Sequence, residues 1–191
     1  MQAAQANISQ PDILNGIDRD AVKGLLQACT DDAANAQTHW HVLTTWQGGT
    51  RSDTHVSFYE AGGQRIDKDF TIRVDEPLEL GGTNQFANPQ ETLLAALNAC
   101  MTAHYSIAAA MHGVHLEKLT IETQGDIDLR GFLGIDAGVK PGYDALSYRV
   151  TMKGDGTPEQ FQEIHDTVTR FSPNRFNVAT AIALNGELVV E

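Results

Sequence analysis

Positive charge and cysteine are both scarce in this sequence, and each scarcity excludes a class of protein. Thirteen Lys and Arg residues stand against 25 Asp and Glu among 191 residues, so the formal net charge is −12 at pH 7. Phosphate backbones and anionic lipid surfaces repel so acidic a chain, and we therefore expect neither nucleic acid nor a membrane as a partner. The two cysteines, Cys29 and Cys100, lie 71 residues apart, a spacing that fits neither a disulfide framework nor a CxxC pair.

Long hydrophobic runs, targeting signals and phosphate-binding loops are missing as well. No uninterrupted apolar stretch approaches the roughly 18–20 residues that a bilayer span needs. The N-terminus has no basic segment followed by an apolar one, so no secretory signal is visible. No glycine-rich phosphate loop follows a strand, and no GxSxG motif occurs. We therefore expect a cytoplasmic protein with reduced thiols and without a bound cofactor.

The periodicity of the apolar residues predicts a mixed fold. Residues that alternate with a period of two predict strands, and residues that recur every three or four positions predict helices. The predicted strands are Trp40–Trp46, Val56–Tyr59, Ile66–Val74, Leu119–Asp128, Ala145–Lys153 and Glu187–Val190. The predicted helices are Asp18–Cys29, Pro89–His112 and Pro158–Arg170, with a short turn or helix after Ser172-Pro173. Antiparallel strands around capped helices, without βαβ alternation, indicate the α+β class.

The domain organisation predicted from this pattern is simple. No linker rich in proline, glycine or serine interrupts the chain, and its length suffices to bury the core of one large domain. The residues before the first long strand form one short amphipathic helix between polar segments. We therefore expect an N-terminal helical extension over residues 1–37 and a single domain over residues 38–191.

Cys100 lies in the longest predicted helix, which begins at an Asn-Pro-x-Glu sequence. Asn88 suits the N-cap, Glu91 suits the reciprocal position of a capping box, and Gly113 ends the helix. The predicted buried stripe of this helix comprises Leu93, Leu97, Cys100, His104, Ile107 and Met111. Two interpretations of Cys100 are open: it packs as a small hydrophobic side chain, or it reacts as a thiolate that a nearby cation stabilises.

The sequence around Cys100 resembles the signature of the OsmC/Ohr family. The resemblance rests on Asp75-Glu76-Pro77, on Gly81-Gly82 and on the string NPQETLLAALNAC that ends at Cys100. The order of the predicted elements also agrees from about Thr38 to the end of the chain. The family consists of thiol-dependent peroxidases that reduce organic hydroperoxides. The resemblance implies an OsmC-like fold, with antiparallel sheets around a long central cysteine-bearing helix, in an intertwined homodimer.

The resemblance also implies a reaction at Cys100. In the family, the helix cysteine attacks the peroxide and becomes a sulfenic acid, and an arginine and a glutamate accompany it. Arg51 best resembles that arginine, Arg73 is the second choice, and Glu91 stands beside the place of the glutamate. Nine residues of helix separate Glu91 from Cys100, which turns the two side chains roughly 180° apart. Glu91 would therefore act by holding the arginine, or in the site of a second subunit.

The second cysteine of the family is missing from its matching position. A Cys-Pro dipeptide near the last helix supplies the resolving thiol in the family, and Ser172-Pro173 stands there in this sequence. A peroxidase cycle would then depend on one reactive cysteine and on an external thiol that reduces the sulfenic acid. The apolar part of the substrate would lie along Leu97, Met101 and Ile107.

Two other interpretations of the same residues stay open. A relative without a resolving cysteine would be a non-catalytic protein that binds a small apolar or thiol-reactive ligand in the dimer pocket. Alternatively, His104 follows Cys100 by one helical turn, and such a pair suits the nucleophile and base of a hydrolase. The other histidines follow the spacing of no known zinc module, and we expect no metal site.

Overall fold

The computed structural model describes residues 11–191, whose contacts divide the chain into two compact units. The first unit ends at Thr92 and the second begins at Leu93. The helices are Arg19–Asp31 (α1), Pro89–Met111 (α2), Leu129–Phe132 (α3), Pro158–Phe171 (α4) and Pro173–Ala179 (α5). The strands are Ile13–Leu14 (β1), Ile17–Asp18 (β2), Thr38–Trp40 (β3), Leu43–Trp46 (β4), Ser52–Ala61 (β5), Gln64–Val74 (β6), Leu116–Gln124 (β7) and Ser147–Gly154 (β8).

Helices and antiparallel strand pairs together confirm the predicted α+β class. The helical extension predicted over residues 1–37 stays a prediction, and its first ten residues lie outside the described part of the chain.

The first unit contains a four-stranded antiparallel sheet with β5 at its centre. β6 pairs with one edge of β5, and β3 and β4 both pair with the other edge. The turn between β5 and β6 is Gly62-Gly63, whose φ angles of 55° and 73° suit the two-residue hairpin turns that favour glycine. The predicted meander is therefore confirmed, with β5 and β6 longer than expected.

The single strand predicted over Trp40–Trp46 is wrong, because two strands occupy that segment. Trp40 pairs with Tyr59 and Leu43 pairs with His55, so three steps along one strand face four steps along β5. This extra residue on β5 shifts the register and interrupts the ladder between Trp40 and Leu43. A bulge depends on the partner strand, which periodicity within one segment does not reveal.

A small hairpin, β1–β2, precedes α1 and was not predicted. Its turn is Asn15-Gly16, with φ angles of 55° and 76°. Asn-Gly is among the strongest short-range hairpin signals, so the sequence did contain the information. The predicted helix that follows is confirmed as α1, and the side chain of Asp18 caps it by accepting from the backbone N–H groups of Asp20 and Ala21 at 3.0 Å.

In the second unit, α2 packs against α4 and the β7–β8 pair. Ile164 and Val168 from α4 are fully buried against α2, and Ile121 and Val150 pack on the same core from the strands. Gly113, at φ 72°, ends α2 as predicted. The capping box predicted for α4 is also present: Thr157 and Gln160 exchange hydrogen bonds between side chain and backbone.

The buried stripe predicted for α2 is wrong by one position. The buried residues of the helix are Leu97, Met101, Tyr105, Ala108, Ala109 and Ala110. Cys100 and His104 are only half-buried, and Leu93 is 42% exposed. Both the predicted and the observed stripe follow steps of three and four residues. Because α2 contains many alanines, its faces differ little in hydrophobicity, and the periodicity does not distinguish the two stripes. Met101 consequently belongs to the core and not to a substrate pocket.

The strand predicted over Glu187–Val190 is also wrong. Residues 180–191 contain no regular secondary structure, and Leu184, Leu188 and Val190 are each more than 80% exposed. A strand needs a neighbouring strand to satisfy its backbone hydrogen bonds, and the sheets of the described residues provide none for this segment.

α2 has the length and composition that a membrane span also requires, with a hydropathy of 1.3 over its most apolar 18 residues. The helix itself was predicted from the sequence, but its suitability as a membrane span was not, because polar residues interrupt its apolar ones. The core helix of a soluble domain meets the same criterion, and Leu97, Met101 and Tyr105 of α2 are buried in a protein core here.

Candidate active site

Cys100 lies midway along α2 and contacts Ser172. The Sγ atom of Cys100 and the Oγ atom of Ser172 are 3.6 Å apart. Ser172 is 1% exposed, and Cys100 is half-buried. Ser172, which the sequence resemblance matches to the family's resolving cysteine, therefore lies next to Cys100.

The ends of two helices hold Ser172 in place. Its backbone N–H donates to Val168 O at 3.0 Å, which closes α4, and its carbonyl accepts from the backbone N–H of Phe176 at 3.0 Å, which opens α5. Pro173 occupies the first position of α5, where its missing N–H has no cost. The Asn174 amide then donates to Ala96 O at 2.9 Å and ties α5 to α2.

Asn98 fixes the same part of α2 to the sheet. Its Oδ1 accepts from the Thr123 hydroxyl at 2.5 Å, and its Nδ2 donates to Ile121 O at 3.3 Å. The part of α2 that carries Cys100 is therefore anchored both to β7, through Asn98, and to the start of α5, through Asn174.

His104 does not pair with Cys100 in the described residues, since the thiol's hydrogen bond goes to Ser172. Burial lowers the pKa of His104, which favours its neutral form. Further along α2, the hydroxyl of the buried Tyr105 lies 2.6 Å from Nδ1 of the half-buried His165 on α4. Burial raises the pKa of Tyr105 well above its usual range, so this hydroxyl stays protonated.

A cavity of about 670 Å³ opens beside the first half of α2. Leu93 and Leu97 line one side of it, and Leu97 precedes Cys100 by about one helical turn. Arg175 also lines the cavity, where its Nε donates to the Tyr148 hydroxyl at 3.2 Å and its Nη1 donates to Thr169 O at 2.7 Å. Sequence reasoning missed this cavity, because residues from three distant segments form it.

Arg51 and Arg73 lie in the first unit, and Cys100 lies in the second. The guanidinium of Arg51 donates to the carbonyls of Gln47 and Gly48 at 3.2 and 3.4 Å. That of Arg73 lies 3.9 Å from the Asp53 carboxylate and 5.8 Å from the ring centre of Phe86. Their pairing with Cys100 stays a prediction.

Glu91 forms the capping box that the sequence predicts. Its carboxylate accepts from the Asn88 backbone N–H at 2.8 Å, and its own backbone N–H donates to Asn88 Oδ1 at 2.8 Å. Its predicted role near the thiolate stays a prediction. Among residues 11–191, no three His, Cys, Asp or Glu side chains come together as a metal-binding group.

Asp75, part of the family-like signature, has a structural role that sequence reasoning did not assign. Its buried carboxylate accepts from the hydroxyls of Thr50 and Thr83 at 2.7 and 2.6 Å. Three backbone N–H groups, from Glu76, Thr83 and Gln85, also donate to it. Asp75 thereby joins the turn that carries Arg51 to the loop that leads to α2.

Gly82, from the same signature, allows this loop to close. A Cβ atom at this position would lie 1.7 Å from the carbonyl oxygen of Glu76, so only glycine permits so close an approach of two backbone segments.

Solved structures share this fold. An OsmC-like protein from Mycoplasma pneumoniae matches with a TM-score of 0.57 and 16% identity, over 73% of this chain and 86% of the other. A protein from Psychrobacter arcticus, described by osmotic stress induction and a detoxification response, matches at 0.54 and 15%, over 70% and 84%. An OsmC-like protein of unknown function from Vibrio cholerae matches at 0.51 and 17%, over 74% and 94%. At such identities the likeness shows the fold alone.

Comparison with curated protein sequences finds no significant match. The sequence model of the OsmC-like proteins matches residues 82–185. This match spans more than half of the chain and includes both Cys100 and Ser172. The chain therefore belongs to the OsmC-like protein family.

Proposed function

We propose that this chain acts in the response to peroxide stress, as a thiol-dependent peroxidase that reduces organic hydroperoxides through Cys100. The observation that carries the proposal is the place of Cys100, half-buried on α2 against Ser172 and one turn beyond Leu97. Family membership supports the choice of reaction, and the Psychrobacter relative is itself described by a detoxification response.

The proposed first step is attack of the Cys100 thiolate on the terminal oxygen of the hydroperoxide. The O–O bond breaks, a sulfur–oxygen bond forms, and the leaving alkoxide takes a proton from water to become the alcohol. The sulfur loses two electrons and the peroxide gains them. An external small thiol then attacks the sulfenic acid and releases water, and a second thiol frees Cys100 by forming its own disulfide.

We infer that the cavity beside Leu97 receives the organic group of the substrate. Apolar side chains form much of its lining, including Leu93, Leu146 and Val178. Such surfaces favour the alkyl part of a hydroperoxide over hydrogen peroxide, because transfer of apolar groups out of water is favourable. Met101, which the sequence placed along the substrate, is fully buried in the core instead.

Arg51 is the better candidate for the cation that stabilises the thiolate. Among the described residues, no carboxylate forms an ion pair with Arg51, whereas Asp53 lies 3.9 Å from Arg73. An arginine without a bound carboxylate keeps its charge available for a thiolate or a peroxide oxygen. Glu91 would position that arginine, in competition with its capping box.

We also infer a homodimer and a cytoplasmic location with access to reducing thiols. The outer face of α2 exposes the small residues Ala95, Ala99 and Ala103. The segment after α5 exposes apolar side chains at Leu184 and Leu188. Surfaces of this kind suit burial against a second copy.

The decisive experiment traps the sulfenic acid. Reduced protein receives a slight excess of an organic hydroperoxide together with dimedone, and intact mass is compared for the parent, Cys100→Ser and Cys29→Ser. We expect rapid labelling that Cys100→Ser abolishes and Cys29→Ser preserves. A folded parent whose Cys100 stays unmodified would exclude the peroxidase and favour the alternative, a non-catalytic relative that binds a small apolar or thiol-reactive ligand in this cavity.

A further inference from the structure

The hydroxyl of Ser172 does not cap the helix that it precedes. Serine at an N-cap ordinarily accepts a hydrogen bond from the second or third N–H group of its helix. Ser172 is the N-cap of α5, and its side chain makes no such bond. Its Oγ lies 3.6 Å from Cys100 Sγ instead.

Burial makes this contact significant. A hydroxyl that is removed from water needs a hydrogen-bond partner, since an unsatisfied one costs free energy. Ser172 is 1% exposed, and within residues 11–191 Cys100 Sγ is the one partner described for its Oγ. A neutral thiol is a weak acceptor, whereas a negatively charged sulfur accepts strongly. The hydrogen bond therefore gains strength when Cys100 ionises.

We propose that Ser172 is a positioning residue that donates a hydrogen bond from its Oγ to Cys100 Sγ and stabilises the thiolate. The inference rests on the proposed function only in taking Cys100 as the reactive thiol. Where the family has a thiol that closes a disulfide, this chain has a donor that prepares the first sulfur for reaction and forms no covalent bond.

Alkylation of Cys100 tests the inference without any peroxide. In a Cys29→Ser background, the rate of reaction with iodoacetamide is measured by intact mass between pH 6 and pH 10. We expect Ser172→Ala to lower the rate at pH 7 roughly fivefold, the effect of one modest hydrogen bond. Near pH 10, where thiols are ionised in every variant, the rates should converge. A merely structural role would not change the shape of this pH profile.

Ser106→Ala is the matched control, because it removes a hydroxyl from the same helix as Cys100. It should alkylate like the parent, and circular dichroism should confirm that each variant is folded. Equal alkylation rates at pH 7 in the parent and a folded Ser172→Ala would overturn the inference.

A second variant keeps the inference testable if Ser172→Ala does not fold. Ser172→Cys in the same background should form an intramolecular disulfide with Cys100 when treated with diamide, measured as the loss of two thiols per chain without a cross-link between chains on a denaturing, non-reducing gel. Asn177→Cys, further along α5, is the control that should not. Free thiols persisting in the oxidant-treated Ser172→Cys protein would show that the two side chains are not adjacent.

The two proposals fail separately. A parent whose Cys100 resists hydroperoxide, but whose alkylation depends on Ser172, would remove the peroxidase and leave the hydrogen bond in place. A parent that reacts rapidly with hydroperoxide, but whose alkylation rate does not change in Ser172→Ala, would support the peroxidase and exclude the hydrogen bond.

Discussion

Two carboxylates of the same segment, Asp75 and Glu91, differ in burial and in hydrogen bonding. Asp75 is fully buried and shared among five donors. Glu91 is exposed and exchanges two hydrogen bonds with Asn88. Both lie in the segment that resembles the family signature. Asp75 joins two loops, whereas experiment must separate two roles for Glu91, which are capping of α2 and positioning of an arginine.

Asp75→Asn should destabilise the protein at neutral pH and do so less in acid. Hydrogen bonds, above all from Thr83, hold the pKa of Asp75 well below its usual range. A carboxylate whose pKa is lower in the folded than in the unfolded state stabilises the protein at pH values above the unfolded-state pKa of about 3.9. This stabilisation is lost as the pH falls toward the folded-state pKa. Urea unfolding at pH 7, 5, 4 and 3 should show a gap between parent and variant that narrows below about pH 4.

The control for this experiment is Asp126→Asn, which changes an exposed carboxylate. It should track the parent at every pH. A gap for Asp75→Asn that stayed constant to pH 3 would mean that shape and not ionisation holds the loop.

Glu91→Gln should separate capping from a role near the thiolate. Glutamine at the third position of a helix keeps the capping box, so we expect the free energy of unfolding to change by less than about 0.5 kcal/mol. If Glu91 positions an arginine, the rate of Cys100 oxidation by an organic hydroperoxide should fall about tenfold or more. Stopped-flow oxidation and urea unfolding measure the two effects on one sample. Unchanged oxidation would leave Glu91 with capping alone.

Among whole elements, local signals predicted the helices well, and signals that depend on a partner were missed. The capping boxes at Asn88 and Thr157 involve residues three positions apart, so a short stretch of sequence contains all of their information. The break between β3 and β4 depends on β5. The contact of Cys100 with Ser172 spans 72 residues of sequence. For the stripe of α2, an alanine-rich helix has too little contrast between its faces for periodicity to select one.

Gly24 within α1 and Gly113 at the end of α2 should change the stability of the protein in opposite directions when each is replaced by alanine. Gly24 lies within α1 at an ordinary φ, and a Cβ there meets nothing within 4 Å. Gly113 ends α2 at φ 72°, also with open space around it. We expect Gly24→Ala to stabilise the protein by about 0.5–1 kcal/mol and Gly113→Ala to destabilise it by about 1 kcal/mol.

Thermal and urea unfolding measure the stability of the two variants, and each variant is the control for the other. Gly113→Asn should lose less stability than Gly113→Ala, because asparagine tolerates the left-handed region better. Destabilisation by both alanines would indicate that a surface of α1 is occupied in solution.

At the scale of the whole molecule, several large apolar side chains are exposed in both units of the chain. Trp46 is 73% exposed, and Leu184 and Leu188 are 89% and 86% exposed. The strand predicted over Glu187–Val190 does not form with the sheets described here, and its apolar residues stay unpaired. The alternation of apolar residues predicted a strand there, but alternation within one segment does not reveal whether a neighbouring strand is present to pair with it.

Light scattering after size-exclusion chromatography should therefore give about twice the mass of one chain. Replacing Leu184 and Leu188 together with Asp should weaken self-association by at least about tenfold, because each charge would be buried without a partner. Asn185→Asp adds charge at a polar position of the same segment and should leave the dimer intact. A parent that stays monomeric at high micromolar concentration would contradict the expected homodimer.

The hydroxyl at position 172 also has a consequence for stoichiometry. In the proposed peroxidase, Ser172 cannot act as a resolving thiol, so without added reductant the first equivalent of peroxide would leave Cys100 as a sulfenic acid. A further equivalent of oxidant would convert this sulfenic acid to the irreversible sulfinic acid, since Ser172 cannot trap it as a disulfide. Under the proposed mechanism, the number of turnovers in a cell would therefore depend on the concentration of small thiols available to reduce Cys100.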